Sequence, residues 1–167
     1  MHLQEFFDYK NRLMKDLLTN ETIVNLIDDT VSLENAKDLI YTQVFPYEFV
    51  PETIEVGKVY LFCDVDILAQ SVGKTYYSPI IYIWVMAHKS LLRLPEGGVR
   101  TDKLCNEICK EINGSRFYGL GELNLYSCKR FSPMADYQGK MLTFHARDFN
   151  KLYDPNKPKP VNRRAEQ

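Results

Sequence analysis

From Tyr76 to His88 the chain reads YYSPIIYIWVMAH, with Ile81, Ile83, Val85 and Ala87 alternating with Ile80, Tyr82, Trp84 and Met86. Successive side chains of a strand point to opposite faces. A run that is apolar on both faces therefore predicts a strand central in its sheet and covered on each side. Its apolar stretch, Pro79 to Ala87, is nine residues long, against the roughly 20 that a membrane-spanning helix requires. The preceding run has period two: Val59, Leu61, Cys63, Val65 and Ile67 point one way, and Tyr60, Phe62, Asp64 and Asp66 the other. A Gly-Lys turn region near Ser71 to Lys74 joins the two runs into a long antiparallel hairpin.

Helical spacing dominates before this hairpin. Leu3, Phe6, Phe7, Leu13, Met14, Leu17 and Leu18 recur at three- and four-residue steps and end near Asn20; Ile23, Val24, Leu26 and Ile27 form a second short helix, and Ser32 caps a further turn or two. Thr42 to Pro51, TQVFPYEFVP, carries two prolines and reads as an extended arm. After a connector from Lys89 to Val99, Thr101 or Asp102 is placed to cap a helix whose stripe is Leu104, Cys105, Ile108, Cys109 and Ile112. Two strands follow, Glu122 to Phe131 and Lys140 to Phe149, linked by a loop from Ser132 to Gly139. The expected fold is α+β: a four-stranded antiparallel sheet with a ββαββ core, packed with N-terminal and central helices. At 167 residues one domain is expected over 1–150, divided into a helical part (1–40), an extended arm (42–57) and a sheet-and-helix core (58–150). The Pro-rich 151–167 is expected to form a flexible C-terminal arm.

The chemistry of catalysis finds little support. Gly73-Lys74-Thr75 lacks the earlier glycine of a phosphate loop, since Leu68 stands there, and a strand follows where a helix is needed. Gly119-x-Gly121 fails as a dinucleotide fingerprint at Asn124. Cys105 and Cys109 share a helix face, but that face is the apolar stripe, where a thiol acts as a small hydrophobe; no metal site and no cofactor are expected. No nucleophile elbow occurs. The alternative of another class is a small ligand- or metal-binding domain or enzyme using Asp64, Asp66 and His88. Lys and Arg number 21 against 22 Asp and Glu, a net charge of −1, which removes the simplest support for a grip on nucleic acid. Gln4, Glu5 and Asp8 fall where a signal peptide would be basic and then apolar, so no leader and no membrane role are expected.

Aromatic side chains are abundant, with Tyr 11 and Phe 9, and many fall in extended or loop segments, among them Phe45, Tyr47, Phe49, Tyr137 and Tyr153. Such residues are enriched at protein interfaces, and together with the two arms they suggest an assembly subunit. The segments DLIYTQVFPYEFVPET, YYSPIIYIWVMAHKS, GGVRTDKLCNEICKEINGS and GLGELNLYSCKRFSPMADYQGKMLTFHARDFN resemble the tail-terminator, or tail-completion, proteins of tailed bacteriophages and related particles. The likeness is strongest in Val99-Arg100-Thr101-Asp102 opening a helix and Gly119-Leu-Gly121 starting the last hairpin, and it covers about residues 38 to 150. The resemblance implies a virion protein with no enzymatic role, a homo-oligomeric (hexameric) ring on the end of the tail tube. Its implied partners are the tail tube protein, the head-tail connector of the neck, the sheath protein where a sheath exists, and DNA only in transit. The alternative within virions is an adaptor or stopper of the neck. Leu92, Arg93 and Leu94 after the central strand, with Pro133, Met134 and Tyr137 in the last loop, are the expected contacts with tube or neck, beside Phe45, Tyr47, Phe49 and Tyr153 on the arms.

Overall fold

A computed structural model of the chain describes residues 4–48, 57–69 and 76–149. Helix α1 (Gln4–Leu18) buries Leu13, Met14, Leu17 and Leu18 along one face. At its end Asn20 turns the chain: its side-chain oxygen accepts from the amides of Thr22 and Ile23, which starts α2 (Glu21–Ile27). The Asn20 amide also donates to the Glu111 carboxylate at 2.8 Å, tying that turn to the far end of α3 (Arg100–Ile112). A 3₁₀ turn, Leu33–Leu39, follows Ser32 and buries Ala36 and Leu39.

The strands are β1 (Val44–Phe45), β2 (Val59–Ala69), β3 (Tyr76–His88), β4 (Leu120–Met134) and β5 (Tyr137–Phe149), in the spatial order β1-β2-β3-β5-β4. The class is α+β, as expected. The sheet has five strands where four were expected, because Val44 and Phe45 of the arm pair parallel with Leu61 and Phe62; the sheet is therefore mixed. The other pairings are antiparallel, and β3 against β5 joins the two hairpins.

Alternation along β2 and β3 is as expected, and it sorts the core into two parts. Val59, Leu61, Cys63 and Val65 of β2 join Ile81, Ile83, Val85 and Ala87 of β3 and Leu142 and Phe144 of β5 beneath the three helices. The opposite face holds a second cluster of Phe45, Tyr60, Phe62, Met86 and Tyr137, flanked by half-buried Trp84, Phe131 and Met134. No described helix contributes to it. The expected cover on both faces of β3 is thus corrected for the described residues: their helices lie on one side, and on the other they close the sheet only in part, by aromatic side chains of the sheet itself.

Two further expectations are corrected. The Ser132–Gly139 loop shrinks to Ala135 and Asp136, since β4 runs on to Met134 and β5 begins at Tyr137. Pro133 is tolerated because β4 is an edge strand and its register is irregular between Phe131 and Met134. Gly139 sits inside β5, and a Cβ there would lie 1.8 Å from the Val85 carbonyl oxygen, so close approach to β3 requires glycine. Helix α3 begins without a side-chain cap: Val99 occupies the cap position, and Thr101 and Asp102 lie inside the first turn.

Candidate functional site

Beyond His88 the chain makes a single 3₁₀ turn, Lys89–Leu91, with His88 Nδ1 2.7 Å from Ser90 Oγ. The Lys89 amide donates to the Asp136 carbonyl at 2.9 Å and its ammonium pairs with the Asp136 carboxylate. That bond from Lys89 holds the Asp136 carboxyl below the usual carboxylate range. The connector after β3 and the β4–β5 turn are therefore docked on each other at one end of the sheet.

Local rules shape the rest of the connector. Leu94 is buried, the Gly97 amide donates to the Leu94 carbonyl, and the Leu94 amide donates to the Gly98 carbonyl. This tight turn needs φ of +98° at Gly97 and +89° at Gly98, a region side chains rarely enter. Arg100 then locks the loop. Its amide donates to the Leu92 carbonyl at 2.7 Å, its Nε to the Leu91 carbonyl at 2.8 Å and its Nη1 to the Leu26 carbonyl at 3.1 Å. Leu26 lies in the last turn of α2, where free carbonyls and the negative end of the helix dipole favour a cation.

Between the connector and the hairpin lies an open basin of about 640 Å³. Arg93, Val99 and Thr101 line one wall, and Arg130, Ser132 and Lys140 the other. Lys140 pairs with Asp102 at 3.0 Å, which raises the lysine pKa. Arg130 Nε donates to Ser132 Oγ at 3.4 Å, while neither Arg93 nor Arg130 has an acidic partner among the described residues. Thr101 is 3% exposed.

On the helix-free face the aromatic side chains extend beyond the second cluster. Tyr82 and Trp84 stack with centroids 5.6 Å apart, and Tyr126 stacks on His145 at 4.3 Å. Tyr126 is 70% exposed, on the edge strand. The Asn113–Ser115 segment bonds to that edge at Leu123 and Leu125. From Tyr126 onward, β4 pairs only with β5 among the described residues.

Most of the contacts expected from the sequence meet at this one end, in unequal exposure. Tyr47 and Arg93 are exposed; Leu92, Pro133 and Met134 are half-buried; Phe45, Leu94 and Tyr137 are buried within the chain. Tyr137 packs against Tyr60 and edge-on to His88, so it and Phe45 build the second cluster. Phe49 and Tyr153 lie outside the described residues. Sequence reading passed over Arg100, Arg130 and Tyr126. Only the VRTD segment drew attention to the first, and nothing in the weak alternation of β4 marked the others.

The alternative trio is not brought together. Asp64 and Asp66 stand opposite Tyr82 and Ile80, six and eight residues from His88 along β3, or about 20 and 26 Å at strand rise. Asp64 is paired instead with Lys10 of α1. Among the described residues, no group of three His, Cys, Asp or Glu is placed to hold a metal. Burial pushes the Cys63 thiol up to about 12, and burial with neighbouring Cys128 and Cys109 does the same for Cys105. The nucleophilic and metal-binding form is the thiolate, which these positions disfavour. No described helix is long and apolar enough to cross a membrane.

A protein-family model described as YomW matches residues 11–146, from within α1 into β5. No curated protein matches the chain.

Proposed function

The chain belongs to the YomW family, a phage-region family, and we propose that this phage-associated protein is a tail terminator. In this reading it is a structural virion component that forms a ring, a hexamer by resemblance, at the head-proximal end of the tail tube. It works by contact and not by chemistry: it ends tube growth and joins the tail to the neck connector, while DNA only passes through. The observation that supports this best is the helix-free side of the sheet, where among the described residues Tyr82 and Trp84 of β3 are only half-buried, Tyr126 lies exposed on β4, and the outer edge of β4 is unpaired from Tyr126 onward. A long unpaired edge is a template for another chain, and a partly exposed aromatic face is the kind of surface an interface covers. A closed ring needs unlike patches meeting head to tail, and the β4 edge supplies one of them. The Lys89–Val99 connector and the β4–β5 turn then face tube or neck.

Sedimentation and negative-stain imaging of the purified chain, alone and with the tail tube protein, test the proposal. Rings that cap tubes are expected, and Tyr126→Glu should disperse them while leaving the circular dichroism spectrum unchanged. Arg93→Glu should leave the rings but impair tail joining. A monomer at every concentration, together with normal tails on particles lacking the protein, would overturn the reading.

A further inference from the structure

The basin beside the start of α3 is locally basic. Arg93, Arg130 and Lys140 face one carboxylate, Asp102, a local balance of +2 in a chain of net −1. Lys140 is taken up by Asp102 at 3.0 Å, which leaves the two guanidiniums on opposite walls without an acidic partner among the described residues. Between them the first turn of α3 presents one unsatisfied backbone donor. The amides of Asp102 and Lys103 both turn back to the Val99 carbonyl, and that of Arg100 goes to the Leu92 carbonyl, but the Thr101 amide bonds to no described group. Thr101 is only 3% exposed as a residue and lines the basin; its hydroxyl has no hydrogen-bond partner among the described residues and is not itself shut off from water, so it is free to bond to a group entering the basin. Helix N-terminal amides and guanidiniums share a preference for oxyanions.

We infer that this basin binds a carboxylate side chain of an acidic, partly apolar segment of a partner protein. Its size favours that occupant over a free ion: about 640 Å³ takes several side chains. Half-buried Leu92 and 44%-exposed Val99 give it an apolar rim. Two unpaired cations suit one carboxylate held from two sides, whereas a nucleic-acid track needs a series of phosphate contacts. The inference does not depend on the tail-terminator reading.

The test is a titration of the isotopically labelled full chain, followed at the Thr101 amide by NMR. The probes are an acetylated, amidated Leu-Glu-Glu-Leu peptide, its Gln-for-Glu counterpart, inorganic phosphate and a single-stranded thymidine oligonucleotide. Saturable shifts at Thr101 are expected with the acidic peptide, with the neutral peptide at least tenfold weaker. Arg93→Gln and Arg130→Gln should each lower affinity by about tenfold, the scale of one charge-assisted bond, with the rest of the spectrum intact. Thr101→Val should weaken binding severalfold without lowering the melting temperature, because no bond among the described residues is lost. Shifts that the neutral peptide reproduces, no movement at Thr101, or tighter saturation by phosphate or by the oligonucleotide would each overturn the inference. Rings without peptide binding reject the basin alone, and monomers that bind the peptide reject the ring alone.

Discussion

Replacing Arg100 by alanine removes more than a surface charge. Its guanidinium donates to two backbone carbonyls, Leu91 in the connector and Leu26 at the end of α2, at 2.8 and 3.1 Å, from a half-buried position. Hydrogen bonds from a charged donor contribute about 1.5–3 kcal/mol each; partial exposure places these two near the low end, for a loss of about 3 kcal/mol. With a urea slope of about 2 kcal/mol/M the unfolding midpoint should fall by about 1.5 M. Arg100→Lys keeps the charge but reaches only one carbonyl, so about half that loss is expected. Urea melts of the three proteins, followed by tryptophan fluorescence from Trp84, measure this. Native-state hydrogen exchange at Gly97 and Leu94 should also quicken in the alanine variant, because the connector loses its anchor. A loss below about 0.5 kcal/mol for Arg100→Ala, the size of an ordinary surface change, would refute the claim that this side chain locks the loop.

Gly139→Ala should cost at least about 3 kcal/mol or prevent folding, since its Cβ would collide with β3 backbone that cannot yield; a thermal melt decides, and an unchanged melting temperature would be incompatible with the strand spacing described. Tyr118→Phe removes the bond from its hydroxyl to Asp16 Oδ2 at 2.8 Å, with Tyr118 buried, and should lower stability in urea by about 1–2 kcal/mol. The thiols of Cys63 and Cys105 are raised to about 12 in the fold, whereas unfolded thiols ionise near 8.5. Their contribution is therefore complete below about pH 8.5 and lost as pH rises toward 12, so melting temperature should decline from about pH 9 upward, and less steeply in a Cys63→Ala/Cys105→Ala variant when each is referred to its own value at pH 7. A thiol reagent should label exposed Cys128 in the native state and reach Cys63 only on unfolding.

Hydrophobic period alone marked the strands β2 and β3, the stripe of α3 and the short α2, because each of these is set by neighbours a few residues away in the chain. The same local rules misjudged Pro133, which breaks a central strand but not an edge, and Val44–Phe45, which become a strand only because Leu61 and Phe62 lie alongside. Whether Thr101 is a cap or the second residue of a helix likewise depends on where Leu92 and Leu26 stand to receive Arg100. The basin is a longer-range product still: Arg93 and Arg130 are 37 positions apart in the sequence, and only the pairing of β3 with β5, with β4 on the far side, sets them across from each other. Alternation says that a strand has two faces; it does not say which one the helices will take. That choice follows from the order in which strands pair and the lengths of chain between them, and it leaves Tyr82, Trp84 and Tyr126 on the side away from the described helices.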